Sequence, residues 1–189
     1  MEIIPAILTD DPLELDALLR KIREGKKFER VQIDFIDGEF AANRTIKPTE
    51  CDLIPYLPLR FDAHLMVTEN NVLEWSKAAE KMGFERVIPQ LENISRPEEF
   101  SALALDLETS VEKIEPYLGN LDLVLVMSVK AGFGGQEFDE VVYEKIRALK
   151  KRGVRICVDG GVDQEHLPIL ENLGVDEVAV GAKRVLSWK

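Results

Sequence analysis

Four polar side chains interrupt stretches that are otherwise apolar: Gln32 and Asp34 in VQIDF, His64 in DAHLM, and Asp159 in CVDGG. A carboxylate flanked by apolar residues is costly to leave unpaired, so Asp34 reads as a group kept for chemistry. Gln32 and Asp34 are two apart, a spacing that turns both side chains to one face of a strand, as a shared site demands. His64 suits such a site or a satisfied core imidazole. Asp159 stands before Gly160 and Gly161, where a turn and a catalytic role fit the local sequence equally. Asp37, just before Gly38, reads as a turn former or cap, and His166, in a helical stretch, as solvated surface.

Glycines form a second constellation: Gly132, Gly134 and Gly135 in one loop, Gly160 and Gly161 in another, Gly181 in a third. Any one group is explained by a turn. Because glycine lets the backbone approach an anion closely, three groups in successive loops favour a phosphate site.

Residues 2–8 form a short apolar run and read as a buried strand. A helix then opens with Asp11 as N-cap, Pro12 in the first position and Glu14 three residues after the cap. Leu15, Leu18, Leu19 and Ile22 share one face, and Gly25 ends it. The pattern recurs. Strands are predicted over 30–35, 61–66, 86–90, 103–107, 121–129, 154–158 and 177–180. Helices are predicted over 70–82, 139–151 and 163–173, with a short helix at 111–118 and at most one turn at 97–100.

Apolar strands alternating with one-sided helices imply a parallel sheet covered by helices, and eight such units, one about every 24 residues, imply closure into a barrel. The expected fold is therefore a single compact (β/α)8 TIM barrel over residues 1–189, with short fourth and last helices; an open doubly wound sheet is the alternative. Barrels of this type run to about 250 residues and seldom below about 200, so the loops must be short. Only residues 182–189 follow the last strand, so another local segment or a second subunit, in a homo-oligomer, is expected to shield that side. In such a barrel the active site lies at the C-terminal ends of the strands, and loops near the last two strands often hold phosphate.

The chain has 35 acidic and 24 basic residues and a net charge of -11. That balance repels nucleic acid and anionic membrane surfaces, and neither is expected as a partner. A small phosphate remains admissible, since backbone N–H groups create a local positive field whatever the global charge. Cys51 and Cys157 are too few and too far apart for a disulfide framework or a thiolate metal site. With no apolar run near the ~20 residues of a membrane span and no basic leader, the expected setting is cytoplasmic.

Read together, PAIL (5–8), VQIDFIDGEF (31–40), NRTIKP (43–48), DAHLMV (62–67), LVLVMSVKAGFGGQEF (123–138), VDGGV (158–162) and AVGA (179–182) resemble the signature blocks of ribulose-phosphate 3-epimerases, in that family's order and over roughly residues 3–183. The resemblance implies an isomerase of pentose phosphate and carbohydrate metabolism that inverts C3 of a ketose phosphate, of the D-ribulose 5-phosphate/D-xylulose 5-phosphate type. In that family two aspartates on opposite faces of the sugar exchange the C3 proton through an enediolate, and both ligate a divalent metal together with two histidines. The matching positions are Asp34 and Asp159 as acid/base pair, and Gln32, Asp34, His64 and Asp159 around a zinc, manganese, iron or magnesium ion. Met66 and Met127 match pocket walls. Gly132, Gly134 and Gly135 match a loop closing over the phosphosugar, and Gly160, Gly161 and Gly181 match its phosphate site.

The chain departs from the family in three places. Gln32 replaces the first histidine ligand, Ala6 the serine of PSIL, and Ala182 the serine of the terminal GS pair. An amide oxygen is a weaker and harder ligand than imidazole, which shifts preference from zinc toward manganese or magnesium. Two further readings stay open: a divergent phosphosugar-barrel isomerase with another substrate or without metal, and a barrel that binds a phosphosugar without turnover.

Overall fold

A computed structural model of the chain describes residues 1–188. Eight strands run parallel: β1 (Glu2–Ile7), β2 (Arg30–Ile36), β3 (Arg60–Met66), β4 (Arg86–Pro89), β5 (Ala102–Leu105), β6 (Leu123–Met127), β7 (Ile156–Asp159) and β8 (Glu177–Gly181). The order β4-β3-β2-β1-β8-β7-β6-β5 joins the first strand to the last. A lone parallel bridge between Gln90 and Ala104 links the two outer strands of that order. The sheet is thus a barrel and not an open doubly wound sheet.

The best-marked helix in the sequence, α1 (Pro12–Gly25), forms where its cap predicts: the Asp11 carboxylate accepts from Leu13 N–H at 2.9 Å, and Leu15, Leu18, Leu19 and Ile22 are buried. Lys26, not glycine, takes the left-handed conformation after it (φ 52°). α2 (Glu69–Met82) lays Trp75 edge-on against Phe35 of β2 and ends on Gly83. α3 (Val142–Lys150) and α4 (Leu167–Asn172) are shorter than predicted because turns at Asp139 and Asp163 precede them. α5 (Ala182–Val185) is a single turn.

The predicted helix at 111–118 is instead two 3-10 segments, Val111–Lys113 and Glu115–Asn120. Pro116 explains the difference, because it has no N–H to donate and its ring clashes with the preceding turn of an α-helix. The connection after β4 holds single 3-10 turns at Leu91–Asn93 and Pro97–Glu99, and that after β2 holds Pro48–Glu50 and Ile54–Tyr56. The outer layer is therefore thin after β2, β4 and β5 as well as after β8.

Inside the barrel, side chains stack by strand alternation. Arg30, Gln32 and Asp34 share one face of β2, and Asp62, His64 and Met66 one face of β3. At the N-terminal end, buried Asp62 accepts from Arg30 and Arg86, and buried Glu177 accepts from Arg86 at 2.7 Å and Arg155 at 2.8 Å. Small and aliphatic residues, among them Ile88, Ala104, Leu125 and Ala179, fill the middle. The remaining interior polar groups lie toward the C-terminal mouth.

Candidate active site

Asp34 ends the polar row of β2, and Asp159 is the last residue of β7. The barrel brings them together. The Gln32 amide nitrogen donates to Asp34 Oδ1 at 2.8 Å and to Asp159 Oδ2 at 2.6 Å, so one buried group bridges carboxylates 125 positions apart in the chain (159 minus 34). His64 of β3 is fully buried beside them, with Nδ1 3.2 Å from Asp34 Oδ1 and 3.6 Å from Asp159 Oδ2.

The field in this cluster follows from its enclosure. Burial pushes the Asp34 carboxyl above its ordinary range, and the neighbouring Asp159 charge adds to that, while hydrogen bonds from His64 and Gln32 oppose it. Burial alone would lower His64, but hydrogen bonds and charge from Asp159 and Asp34 outweigh it and raise the imidazole.

A cleft of roughly 360 Å³ opens above the cluster. Asp34, His64 and Asp159 line its floor, and Met66, Met127 and Ala6 its walls. Gly132, Gly134 and Gly135 line it from one loop, with Phe133 half exposed at its edge. Gly160, Gly161, Gly181 and Ala182 line it from the ends of β7 and β8. Gln32 is the one predicted site residue that does not line the cleft; it lies beneath the floor. Gly161 has φ +62° and packs so closely that a Cβ there would sit 2.5 Å from Phe138 N and 2.9 Å from Gln136 O. Here the chain needs glycine on both conformational and steric grounds.

Sequence reasoning passed over several groups. Gln90, immediately after β4, places its amide 2.9 Å from His64 Nε2; a polar residue ending an apolar strand was the available signal. Ser128 donates its hydroxyl to Asp159 O at 3.0 Å, tying the end of β6 to that of β7. Lys183 and Arg184 line the cleft. Lys183 pairs with Glu14 at 2.6 Å, and Arg184 donates to the carbonyls of Gly161 and Val162 at 3.2 Å.

Asp37 proves structural, as its turn position predicts. Its carboxylate accepts from Glu39 and Phe40 N–H at 2.8 Å, Thr68 N–H at 2.7 Å and the Asn71 amide at 2.9 Å. His166 is not solvated surface: its ring is half buried, stacks on Phe138 at 4.2 Å, and accepts from Asp163 N–H at 3.0 Å.

Asp34, His64 and Asp159 each offer a ligand atom within 4.8 Å of the others, a buried two-oxygen, one-nitrogen set that fits a divalent cation. Gln32 fits less directly. It turns its amide nitrogen toward the carboxylates, so its oxygen joins the set only if the amide inverts.

Residues 2–185 match the model of the "Ribulose-phosphate 3 epimerase family". Similar proteins include ribulose-phosphate 3-epimerase of Bacillus subtilis, 30% identical over 96% of this chain and 91% of that one. Ribulose-phosphate 3-epimerase 2 of Cupriavidus necator is 30% identical over 96% and 83%. Among solved structures, a mutant tryptophan synthase α-subunit from Pyrococcus furiosus matches with TM-score 0.72 at 15% identity, over 96% of this chain and 87% of that one. Phosphoribosyl anthranilate isomerase from Thermus thermophilus gives 0.67 at 16%, over 98% and 95%. At those identities the structural matches speak for the barrel alone.

Proposed function

The chain belongs to the ribulose-phosphate 3-epimerase family, and from that premise we propose that it inverts C3 of a ketose phosphate of the D-ribulose 5-phosphate/D-xylulose 5-phosphate type, with Asp34 and Asp159 as the proton-transferring pair. The observation that carries this reading is the convergence of the two carboxylates on one cleft floor, held in place by a shared amide.

Inversion needs one group to remove the C3 proton and a second, on the other face of the sugar, to return one. Two acids in one enclosure cannot both ionise cheaply, so one is protonated while the other is a base, which is the inventory the reaction uses. Burial pushes the Asp34 carboxyl upward, toward its protonated form. Gln32 fixes both carboxylates from below, and His64 sets a donor between them. Met66 and Met127 exclude water around the flat enediolate. Glycine amides at 160, 161 and 181, with Ala182, receive the phosphate, and the loop carrying Gly132, Gly134 and Gly135 covers the cleft. A divalent cation held by Asp34, His64 and Asp159, with Gln32 as a further donor, would supply Lewis-acid stabilisation of the enediolate charge; the amide donor favours manganese or magnesium over zinc or iron.

One observation favours a second reading, a metal-independent phosphosugar isomerase: the Gln32 amide nitrogen already occupies both carboxylates. Metal content of the purified chain, measured with deuterium exchange at C3 of ribulose 5-phosphate, separates the two. Exchange with stoichiometric metal supports the first reading, and exchange in stripped protein supports the second. Phosphate-ester binding without exchange on any ketose phosphate would overturn both. Asp34→Asn is expected to slow exchange at least about a hundredfold with the circular dichroism unchanged; retained exchange would remove Asp34 from the mechanism.

A further inference from the structure

His64 has two ring nitrogens, and the site uses only one. Nδ1 faces the gap between Asp34 and Asp159, at 3.2 and 3.6 Å. Nε2 points away, to the Gln90 amide at 2.9 Å. Gln90 is 1% exposed, and the other atom of its amide, as placed the oxygen, is buried without a partner. The backbone here is pinned on both sides. Gln90 N–H donates to Leu65 O of β3 at 3.2 Å, and the same residue forms the bridge to Ala104 of β5. The amide therefore reaches the ring from a fixed base.

The chemistry of the ring makes an amide the suitable group at that place. When Nδ1 carries hydrogen and serves the carboxylates, neutral imidazole has a lone pair on Nε2 and wants a donor. When Nδ1 gives its lone pair to a cation, Nε2 carries the hydrogen and wants an acceptor. A carboxylate or a backbone carbonyl meets only the second need. A carboxamide meets both by turning half a revolution about its last bond, since its oxygen and nitrogen occupy nearly the same volume.

We propose that Gln90 is a positioning residue for His64, an amide that turns its oxygen or its nitrogen to Nε2 according to whether a cation or a hydrogen occupies Nδ1. This deepens the metal assignment made above and rests on it in part. It also predicts that the ring keeps one orientation in the loaded and the stripped protein.

The test uses the full chain titrated with zinc, a diamagnetic probe, and reads the His64 ring by two-bond ¹H–¹⁵N correlation. In the zinc-loaded parent His64 is expected as the Nε2–H form, with that hydrogen protected from exchange. Gln90→Glu keeps an acceptor and retains both the signal and zinc affinity to within a few-fold. Gln90→Met has none, loses the protected signal, and binds zinc about 10- to 100-fold more weakly. Unchanged signal and affinity in Gln90→Met would overturn the proposal, and so would a loss in Gln90→Glu as large as in Gln90→Met. If Gln90→Met fails to fold, Gln90→Glu decides alone: its ring must be held as Nε2–H with and without zinc, and absence of that form refutes the role. No sugar enters these measurements, so they stand whether or not the chain turns over a ketose phosphate. A parent that binds no zinc counts against the metal site, and the metal-free spectra then judge Gln90: the parent ring as Nδ1–H and the Gln90→Glu ring as Nε2–H support the role, and the same form in both refutes it.

Discussion

Enclosure treats the acids of this barrel in opposite ways. Asp34 is pushed upward by burial beside a second carboxylate. Asp37, three residues on, feels burial too, but hydrogen bonds from Phe40, Asn71, Thr68 and Glu39 outweigh it and bring the carboxyl from 3.8 down to about 2. A depressed folded value means that the stabilisation is complete above the unfolded value, near pH 4, and is lost as pH falls through about 2. Asp37→Asn is therefore expected to cost about 2–3 kcal/mol at pH 7, measured by urea unfolding, with the gap between parent and variant closing as the pH approaches 2. Asp34 and Asp37 differed already in the sequence, one set among apolar residues and the other before glycine. The direction of the Gln32 amide was not legible, because it depends on Asp159, which no local pattern ties to β2. Gln90 escaped for a similar reason: its partner is the ring of His64, on the adjacent strand.

Elements with their own boundary signals could be read directly. α1 carries a cap, a first-position proline and a one-sided apolar stripe, and its start and buried face match the prediction. The connection after β5 has amphipathic spacing without length, and Pro116 resolves it into 3-10 turns. β5 ends at Leu105, two residues earlier than read, because the Asp106 carboxylate accepts from Leu107 and Ala131 N–H and turns the chain. The glycine loops could be placed, but which glycines are sterically compelled could not, since Phe138 and Gln136 press on Gly161 from another loop. Gly161→Ala is expected to cost about 2–4 kcal/mol, from the left-handed backbone and the overlap together. Gly181→Ala meets nothing within 4 Å and should leave stability within about 0.5 kcal/mol. A raised KM for the phosphosugar in Gly181→Ala, with thermal stability unchanged, isolates anion binding from folding.

The whole molecule divides its labour along the barrel axis. The mouth holds the buried cluster of Asp34, His64 and Asp159, whereas the opposite end holds Asp62 and Glu177 locked among Arg30, Arg86 and Arg155. Removing one partner from such a network strands buried charge, so Asp62→Ala is expected to lose about 3–5 kcal/mol of stability. Its kcat, assayed at a temperature where the variant stays folded, should match the parent's, and a large fall would show that the two ends are coupled. Alternating apolar strands and helices sufficed to predict closure, but not how the ring is joined. Strand pairing is continuous from β4 through β1 and β8 to β5, and among the described residues only Gln90 and Ala104 close the circle. Any opening of the barrel wall is cheapest along that join. The residue displaced first would be Gln90, whose amide meets the His64 ring, so closure of the wall and the aim of that imidazole depend on one clasp.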